Sequence, residues 1–512
     1  MSNSIELAIF SGRLTAICQE MGYVLQRSAL SPNIKDRLDF SCAFFDVEGR
    51  MCAQAAHIPV HLGSMAYAMR GITARFEWHE GDMVVFNDPF LGGTHLPDVT
   101  VVAPLFIGGA LMGFVANRAH HANIGSAAPG SMPLSRSLEE EGVLISPVKL
   151  QQAGEWNEKA VSLLSRIDPG LGAAIPGDFM AQISANKTGL RRLYEWAQES
   201  NQPHVFLRKG VAALNDYGER LAREKLKELA MGESIYEDLM DDDGCGTRNI
   251  PIRVAVSHTE DGLSFDFSGT GAEVDGNINC PQSVTAAAVY YAVLSLLPDY
   301  IPHCAGVFEQ IKLHIPAGCL LNASPGKAVA AGNVETSMRV VDVVLGGLGL
   351  LGAAVPADAQ GTMNNLAMGC RSENSSWDYY ETMGGGMGGG PWGPGLSGVQ
   401  CHMTNTLNTP IESLEMHYPL RVVEYGLRDG SGGGGRFKGG DGLVRELQFL
   451  EAGELTILSE RRSRGPRGCQ GGADGAPGVN YINGEQKSAK FTRHVRAGDH
   501  LRIESPGGGG WG

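Results

Sequence analysis

Apolar side chains recur at helical spacing through the first 25 residues of the chain. Asn3 and Glu6 have the spacing of a capping box, so this pattern predicts an amphipathic helix at the start. Residues 38–54 then change to alternating, β-rich sequence that reverses at Asp46–Gly49, which predicts a hairpin. Helical spacing returns over residues 62–76, so a second helix should follow the hairpin.

The middle of the chain mixes strand-like and helical segments. Between Asp82 and His121 the pattern predicts three short strands, Met83–Phe86, Val99–Phe106 and Leu111–Ala116, joined by loops rich in Gly, Pro and His. Further on it predicts helices over about 178–199, 204–231, 283–298 and 335–352, and strands over about 251–257 and 263–267.

Glycine dominates parts of the C-terminal region. Eight of the thirteen residues from Met383 to Gly395 are Gly, and further runs occur at 432–435 and 507–510, with β-like segments such as Leu443–Phe449 between them. Glycine without a repeat period indicates tight turns, close backbone approaches or anion-binding nests. We therefore predict an α+β fold, with a multi-layer mixed α/β N-terminal part and a Gly-rich, β-rich C-terminal part. The predicted domains are 1–240, 241–360 and 361–512.

Composition and charge narrow the classes of function. The 512 residues carry a net charge of −15, which argues against binding nucleic acid or an anionic membrane, because both need basic surface. The ten cysteines form no C-x-x-C pair, as expected in a reducing compartment. The N-terminus lacks the features of a signal peptide, and the longest apolar stretches are shorter than the roughly 20 residues of a membrane span. We expect a cytoplasmic protein with a small substrate.

The loop Asn87–Asp98 carries the clearest chemical signal. His95 and Asp98 lie three residues apart between prolines, and Arg118–His121 follows at the end of a predicted strand. Imidazole and carboxylate ligands together suit Zn, Mn or Fe, and a loop with a nearby strand end can leave positions open for water. Asp39, at the start of the hairpin, is the candidate fourth ligand.

Some alternatives stay open on spacing alone. A His-x-x-Asp pair also occurs by chance, and a single loop histidine often only binds a backbone carbonyl. His120 and His121 point to opposite faces of a strand, and the apolar pattern does not choose between them as ligand. His57 and His61 are candidates for orienting the ligands. No phosphate-binding loop of the G-x-x-x-x-G-K-[ST] type occurs, so ATP binding by this chain is not predicted.

Several longer motifs add a resemblance to a known family. The chain resembles the B (beta) subunits of hydantoinases and 5-oxoprolinases, including N-methylhydantoinase and caprolactamase, and more distantly the large subunit of acetone carboxylase. The matching segments span nearly the whole chain: Asn33–Cys42, His57–Ser64, Asn87–Val102, Arg118–Gly125, Pro129–Met132, Gly276–Asn279, Gly332–Thr336, Asn405–Glu412, Gly439–Gly442 and Pro506–Gly510.

The resemblance implies a partner and a set of site residues. The partner is an ATP-binding hydantoinase A type subunit of actin-like fold, which holds ATP and Mg, so the resemblance implies a hetero-oligomer. Asp36 is an alternative to Asp39 as ligand, and Asn123 stands where many relatives have Asp. The implied metal ligands are Asp39, His95, Asp98 and His120, with His121 in reserve, and the residues expected to assist catalysis are His57, His61 and His121.

The implied activity is ATP-dependent hydrolysis of a cyclic amide such as a hydantoin, 5-oxoproline or a lactam. A cyclic amide is a poor electrophile, so activation by ATP in the partner and a metal-activated water in this chain would together open the ring. Two other functions stay possible: a subunit of an ATP-dependent ketone carboxylase, and a non-catalytic scaffold for the ATPase subunit. A scaffold needs no stoichiometric metal, so metal analysis separates it from the others.

Overall fold

The computed structural model describes residues 4–56, 58–167, 175–371 and 376–512. Its helices are α1 (Ser4–Ser28), α2 (Pro32–Lys35), α3 (Pro59–Thr73), α4 (Glu158–Leu164), α5 (Gly177–Gln198), α6 (Pro203–Leu226), α7 (Gln282–Leu294), α8 (Ala305–Phe308), α9 (Ser337–Leu350) and α10 (Ile411–His417). Its strands are β1 (Phe40–Phe45), β2 (Met51–Ala56), β3 (Met83–Phe86), β4 (Asp98–Ile107), β5 (Ala110–His120), β6 (Val148–Gln152), β7 (Glu155–Trp156), β8 (Gly232–Asp242), β9 (Arg248–Thr259), β10 (Gly262–Asp266), β11 (Ile311–His314), β12 (Asn365–Arg371), β13 (Ser376–Glu381), β14 (Leu420–Arg428), β15 (Gly442–Phe449), β16 (Gly453–Leu458), β17 (Val479–Ile482), β18 (Glu485–Lys487), β19 (Lys490–Val495) and β20 (His500–Glu504).

A seven-stranded antiparallel sheet organises the N-terminal part. Its order is β2-β1-β5-β4-β3-β6-β7, and its central strands are buried on both faces. Successive residues enter different apolar clusters: Val102 packs with side chains from α3 and α7, whereas Val101 packs with side chains from α1 and α5. Strands covered on both faces have continuous apolar sequence, which explains why β4 and β5 do not alternate.

The central region adds a second, four-stranded sheet of order β11-β10-β9-β8, against which α9 packs. Residues 241–244 lie at the end of β8 and in the turn that joins it to β9. The predicted domain boundary at 240/241 therefore falls within one hairpin of a single sheet. Among the helices of the described ranges, we find none with both the length and the apolar content needed to cross a bilayer.

The C-terminal part contains two antiparallel sheets, of order β13-β12-β16-β19 and β14-β15-β20-β17-β18, with an apolar cluster formed from both. A buried ion network joins this part to the central region. Arg461 Nη2 lies 3.0 Å from Asp342 Oδ2 on α9, 2.9 Å from Asp238 Oδ2 on β8 and 2.9 Å from Asp358 Oδ2. Four separate chain segments therefore meet at one guanidinium group.

The glycine runs pack against one another through their backbones. Gly433 N donates to Gly508 O (2.9 Å), Gly508 N donates to Gly440 O (2.9 Å), and Gly389 N donates to Gly509 O (2.8 Å). A Cβ atom added at Gly508 or Gly440 would lie within 3.0 Å of a backbone atom of another segment, closer than real Cβ atoms come. These glycines are therefore required because there is no room for any side chain.

Most predicted elements are confirmed. The α+β class is correct, and the first helix, the hairpin and the three strands up to His121 lie where the pattern places them. The first helix begins at Ser4 among the described residues, while its predicted cap, Asn3, lies outside them. The sequence prediction missed β8, whose exposed and buried positions alternate after a charged helix end.

Candidate metal centre

The loop between β3 and β4 is fixed by its own side chains. Asn87 Nδ2 donates to Leu96 O (2.8 Å) and Val143 O (3.0 Å), and Asn87 Oδ1 accepts from Ile145 N (2.7 Å). Asp88 caps the short 3-10 turn Pro89–Leu91 by accepting from its backbone. The buried amide of Asn87 thus ties both ends of the loop to a neighbouring segment and sets the position of the residues that follow.

Three side chains from this loop and the adjacent strands converge at one point. His95 Nε2 and His120 Nδ1 both lie 3.2 Å from Asp98 Oδ1. Asp98 opens β4 and His120 ends β5, and the two residues are direct partners across the antiparallel ladder. One ligand atom from each of the three residues lies within 4.8 Å of the other two, so together they could hold a metal ion.

Asp39 and His61 extend this cluster. His61 Nε2 lies 3.3 Å from Asp98 Oδ2 and 3.9 Å from Asp39 Oδ1, and Asp39 Oδ2 lies 3.9 Å from His120 Nδ1. The side chain of Asp39 is 10% exposed, while those of the other four residues are at most 3% exposed. Asp39 therefore marks the more open side of the cluster.

The donor atoms fit a divalent transition metal. His95 Nε2, Asp98 Oδ1 and His120 Nε2 are buried and have no hydrogen-bond partner, which is unusual for buried polar atoms. His95 Nδ1 lies 3.2 Å from the carbonyl of Ala330 and donates to it when protonated, which leaves Nε2 free as a ligand. Imidazole and carboxylate groups in this arrangement suit Zn, Mn or Fe.

The electrostatics of the cluster support an ionised carboxylate at its centre. Burial raises the pKa of Asp98, but His95 and His61 outweigh burial, so its pKa lies well below the ordinary value. Burial alone lowers the pKa of His95, yet the Asp98 charge outweighs it and the pKa is raised. For His120, burial prevails and the pKa is lowered, which favours the neutral ring that binds metals.

Two neighbouring groups were not found by sequence reasoning. The Tyr380 ring stacks on His120, with centroids 5.0 Å apart and planes at 6°, and the Arg37 guanidinium lies 4.9 Å from the Tyr380 centroid. Asn333, in a π-helical turn at Gly332–Thr336, donates to Asp98 Oδ2 at 3.4 Å. The segment Gly332–Thr336 stands out as a motif, but no signal in the sequence points to Tyr380.

The other predicted site residues lie elsewhere. His121 Nε2 lies 3.0 Å from Gln182 Oε1, and its ring contacts Phe179 with centroids 4.5 Å apart, because neighbouring strand residues point to opposite faces. The structure thus places His120, and not His121, beside Asp98. Asp36 caps the C-terminal end of α2, and Asn123 accepts from Gly125 N in a turn. His57 lies outside the described residues.

Comparison with known proteins assigns the family. The model of the family "Hydantoinase B/oxoprolinase" matches residues 3–512, nearly the whole chain. The chain belongs to this family. Within the hydantoinase B/oxoprolinase family it is 41% identical to 5-oxoprolinase 1 of Arabidopsis thaliana, over 100% of this chain and 42% of the relative.

Other relatives differ in length. The 5-oxoprolinase of Dictyostelium discoideum is 39% identical over 99% of this chain but only 40% of its own length. A protein of Pseudomonas sp. (strain NS671), named as the B subunit of a D-/L-hydantoinase, is 29% identical, and the match covers 99% of this chain and 90% of that protein. The chain therefore spans about two fifths of the oxoprolinases it matches and most of the hydantoinase protein.

Two solved structures have the same fold. The ATP-dependent caprolactamase from Pseudomonas jessenii superimposes with a TM-score of 0.90 at 25% identity, covering 100% of this chain and 91% of that chain. A nucleotide-free acetone carboxylase has a TM-score of 0.84 at 15% identity, covering 100% and 76%. The second likeness shows the fold alone.

Proposed function

We propose that this chain is the metal-binding B-type component of an ATP-dependent hydrolase that opens a cyclic amide. The observation that carries the proposal is the buried cluster of His95, Asp98 and His120, whose central donor atoms lack partners within the protein. Family membership and the caprolactamase likeness supply the substrate class, a hydantoin, 5-oxoproline or lactam ring.

The proposed partner is a separate ATP-binding subunit. The oxoprolinase relatives are more than twice as long as this chain, whereas the Pseudomonas hydantoinase protein has nearly the same length. We therefore infer that the part which activates the substrate with ATP and Mg belongs to another polypeptide, an A-type subunit of actin-like fold. The absence of a phosphate-binding loop motif in this sequence supports the same division.

The residues of the cluster divide into two roles. Asp39, His95, Asp98 and His120 would hold a divalent ion, Zn, Mn or Fe, which when bound lowers the pKa of a water molecule and polarises the carbonyl group. His61 lies between the two carboxylates and could accept a proton from the attacking water. Asp39 lies on the more open side, where the activated amide can approach.

The decisive experiment compares two neighbouring histidines. The full chain is combined with its partner, ATP and 5-oxoproline, hydantoin or caprolactam, and ring-opened product, phosphate and bound metal are measured. We expect His120→Ala to abolish ring opening and lose metal, because its ring reaches Asp98. His121→Ala is the matched control, since its ring faces Gln182, and it should retain metal and product formation. Wild-type product formation by His120→Ala would contradict the proposal.

A further inference from the structure

A buried carboxylate holds the segment that passes behind the metal cluster. Glu141 ends the short 3-10 turn Leu138–Glu141 and is fully buried. Its Oε1 accepts from Val329 N (2.8 Å), Ala330 N (3.0 Å) and Ser135 Oγ (2.8 Å). Two consecutive backbone N–H groups, distant from Glu141 in sequence, therefore depend on one carboxylate oxygen.

The same segment supports two residues of the cluster. The carbonyl of Ala330 accepts from His95 Nδ1 at 3.2 Å, and three residues later Asn333 donates to Asp98 Oδ2 at 3.4 Å. The N–H of Ala330 faces Glu141 while its C=O faces His95. A shift of this segment would disturb the hydrogen bonds of both His95 and Asp98.

The carboxylate is costly where it lies. The hydrogen-bond partners of Glu141 are neutral groups, Oε2 has no partner, and burial raises the pKa of Glu141 to about 7. An apolar side chain could fill a buried position without losing hydration. The contribution specific to Glu141 is thus the acceptor it offers to Val329 and Ala330.

We propose that Glu141 is a positioning residue for the metal cluster. It holds the Ala330 carbonyl against His95 Nδ1, which fixes the ring orientation and the tautomer that leaves Nε2 as the ligand atom. This inference rests on the proposed metal binding and assigns a role to a residue that does not itself reach the metal.

The test measures metal affinity in the full chain. Zn²⁺ and Co²⁺ are titrated into metal-free protein, and Co²⁺ absorption reports the ligand geometry. We expect Glu141→Ala to weaken binding by about 10- to 100-fold, the range typical of groups that orient metal ligands. Glu141→Gln keeps an acceptor oxygen, so its affinity should lie between that of Glu141→Ala and that of the unaltered chain.

Asp82→Asn is the matched control. Asp82 is buried in the same sheet region, and its carboxylate also accepts from two backbone N–H groups, those of His79 and Ala153. A purely structural effect would lower the free energy of unfolding in both variants and leave metal affinity unchanged. We expect only the Glu141 variants to alter the Co²⁺ spectrum and the affinity.

The outcomes separate this proposal from the proposed function. If the unaltered chain binds Zn²⁺ tightly, His95→Ala does not, and Glu141→Ala binds like the unaltered chain, the role of Glu141 is refuted while the metal centre stands. If the unaltered chain binds neither metal, the metal centre itself is refuted. If Glu141→Ala fails to fold, Glu141→Asp replaces it: the charge is kept but the acceptor is withdrawn, and unchanged affinity overturns the proposal.

Discussion

The metal cluster and the glycine layer are both deeply buried, yet they satisfy polar atoms in opposite ways. In the cluster, His95 Nε2, Asp98 Oδ1 and His120 Nε2 have no partner in the protein. In the glycine layer, backbone groups of Gly433, Gly508 and neighbouring segments pair with one another at 2.8–2.9 Å. One region leaves side-chain donor atoms available to a ligand, and the other uses the backbone alone.

The difference teaches what each region can tolerate. The cluster depends on the chemical identity of its donor atoms, so a substitution of equal volume should alter binding and spare the fold. The glycine layer depends on the absence of volume, so even a methyl group should disrupt it while leaving charge untouched. Buried unpaired donors indicate a ligand, whereas buried glycines indicate close backbone packing.

The largest expected effect is that of adding one methyl group to the glycine layer. The Cβ of Gly508→Ala would lie within 3.0 Å of the backbone at Met387 and Gly388, which cannot move aside as a flexible side chain could. We expect this variant to lose at least about 3 kcal/mol of unfolding free energy, the upper range for overpacking. Urea unfolding followed by circular dichroism measures the change.

Gly434→Ala is the control for this effect. Gly434 is exposed and has no atom within 4 Å of an added Cβ. It should therefore retain or slightly raise the stability of the unaltered chain, since Ala restricts the unfolded state. Equal stability of the two variants would show that the layer accommodates side chains after all.

The next effect concerns donor identity in the cluster. Asp98→Asn keeps the volume of the side chain but removes the charge that contacts His95, His61 and His120. We expect metal affinity to fall by about 100-fold or more, because losing a ligand should exceed the loss of an orienting group. Elemental analysis and Zn²⁺ titration measure it.

Asp88→Asn serves as its control, because Asp88 lies in the same loop and caps its 3-10 turn without belonging to the cluster. This variant should keep its metal. Retention of metal by Asp98→Asn would break the distinction drawn between the two regions.

The smallest expected effect is a change in the pH dependence of stability. Glu335, in the π-helical turn, is buried, and burial raises its pKa from 4.5 to about 8, against the nearby charge of Lys490. The neutral acid is thus favoured in the folded state, so its stabilising contribution is complete below pH 4.5 and is lost as the pH rises towards 8.

Glu335→Gln stays neutral at every pH. Relative to the unaltered chain, this variant should gain on the order of 1–2 kcal/mol of stability between pH 5 and 8. Urea unfolding at pH 5, 6.5 and 8 measures the difference, with the exposed Glu454→Gln as control. Parallel pH profiles for Glu335→Gln and the unaltered chain would contradict the expectation.

The local pattern was sufficient for most elements and for the central metal candidates. His95 and Asp98 stand in a proline-bounded loop, so their proximity could be inferred from three residues of spacing. The choice between His120 and His121 could not, because both faces of β5 are covered and the apolar pattern is the same on each side. Only the antiparallel register, which pairs Asp98 with His120, decides which ring lies in the cluster.

Long-range contacts account for what the sequence did not reveal. Tyr380 and Asn333 reach the cluster from segments more than 200 residues away from His120, and no local periodicity encodes such an approach. Glu141 acts through the backbone of residues 329–330, so its side-chain chemistry alone gives no indication of its role. For the glycine runs, the sequence allowed turns, nests or close packing, and the backbone pairing identifies close packing.

The pairing of Asp98 with His120 has a consequence for the lifetime of the protein. The two residues belong to the ends of adjacent central strands, so an ion bound between them would cross-link β4 and β5. A ligand that binds only the folded state raises stability in proportion to the logarithm of its free concentration. If the cluster binds a metal as proposed, metal-starved cells would hold a less stable chain that proteases remove faster, and the abundance of the protein would follow the metal supply.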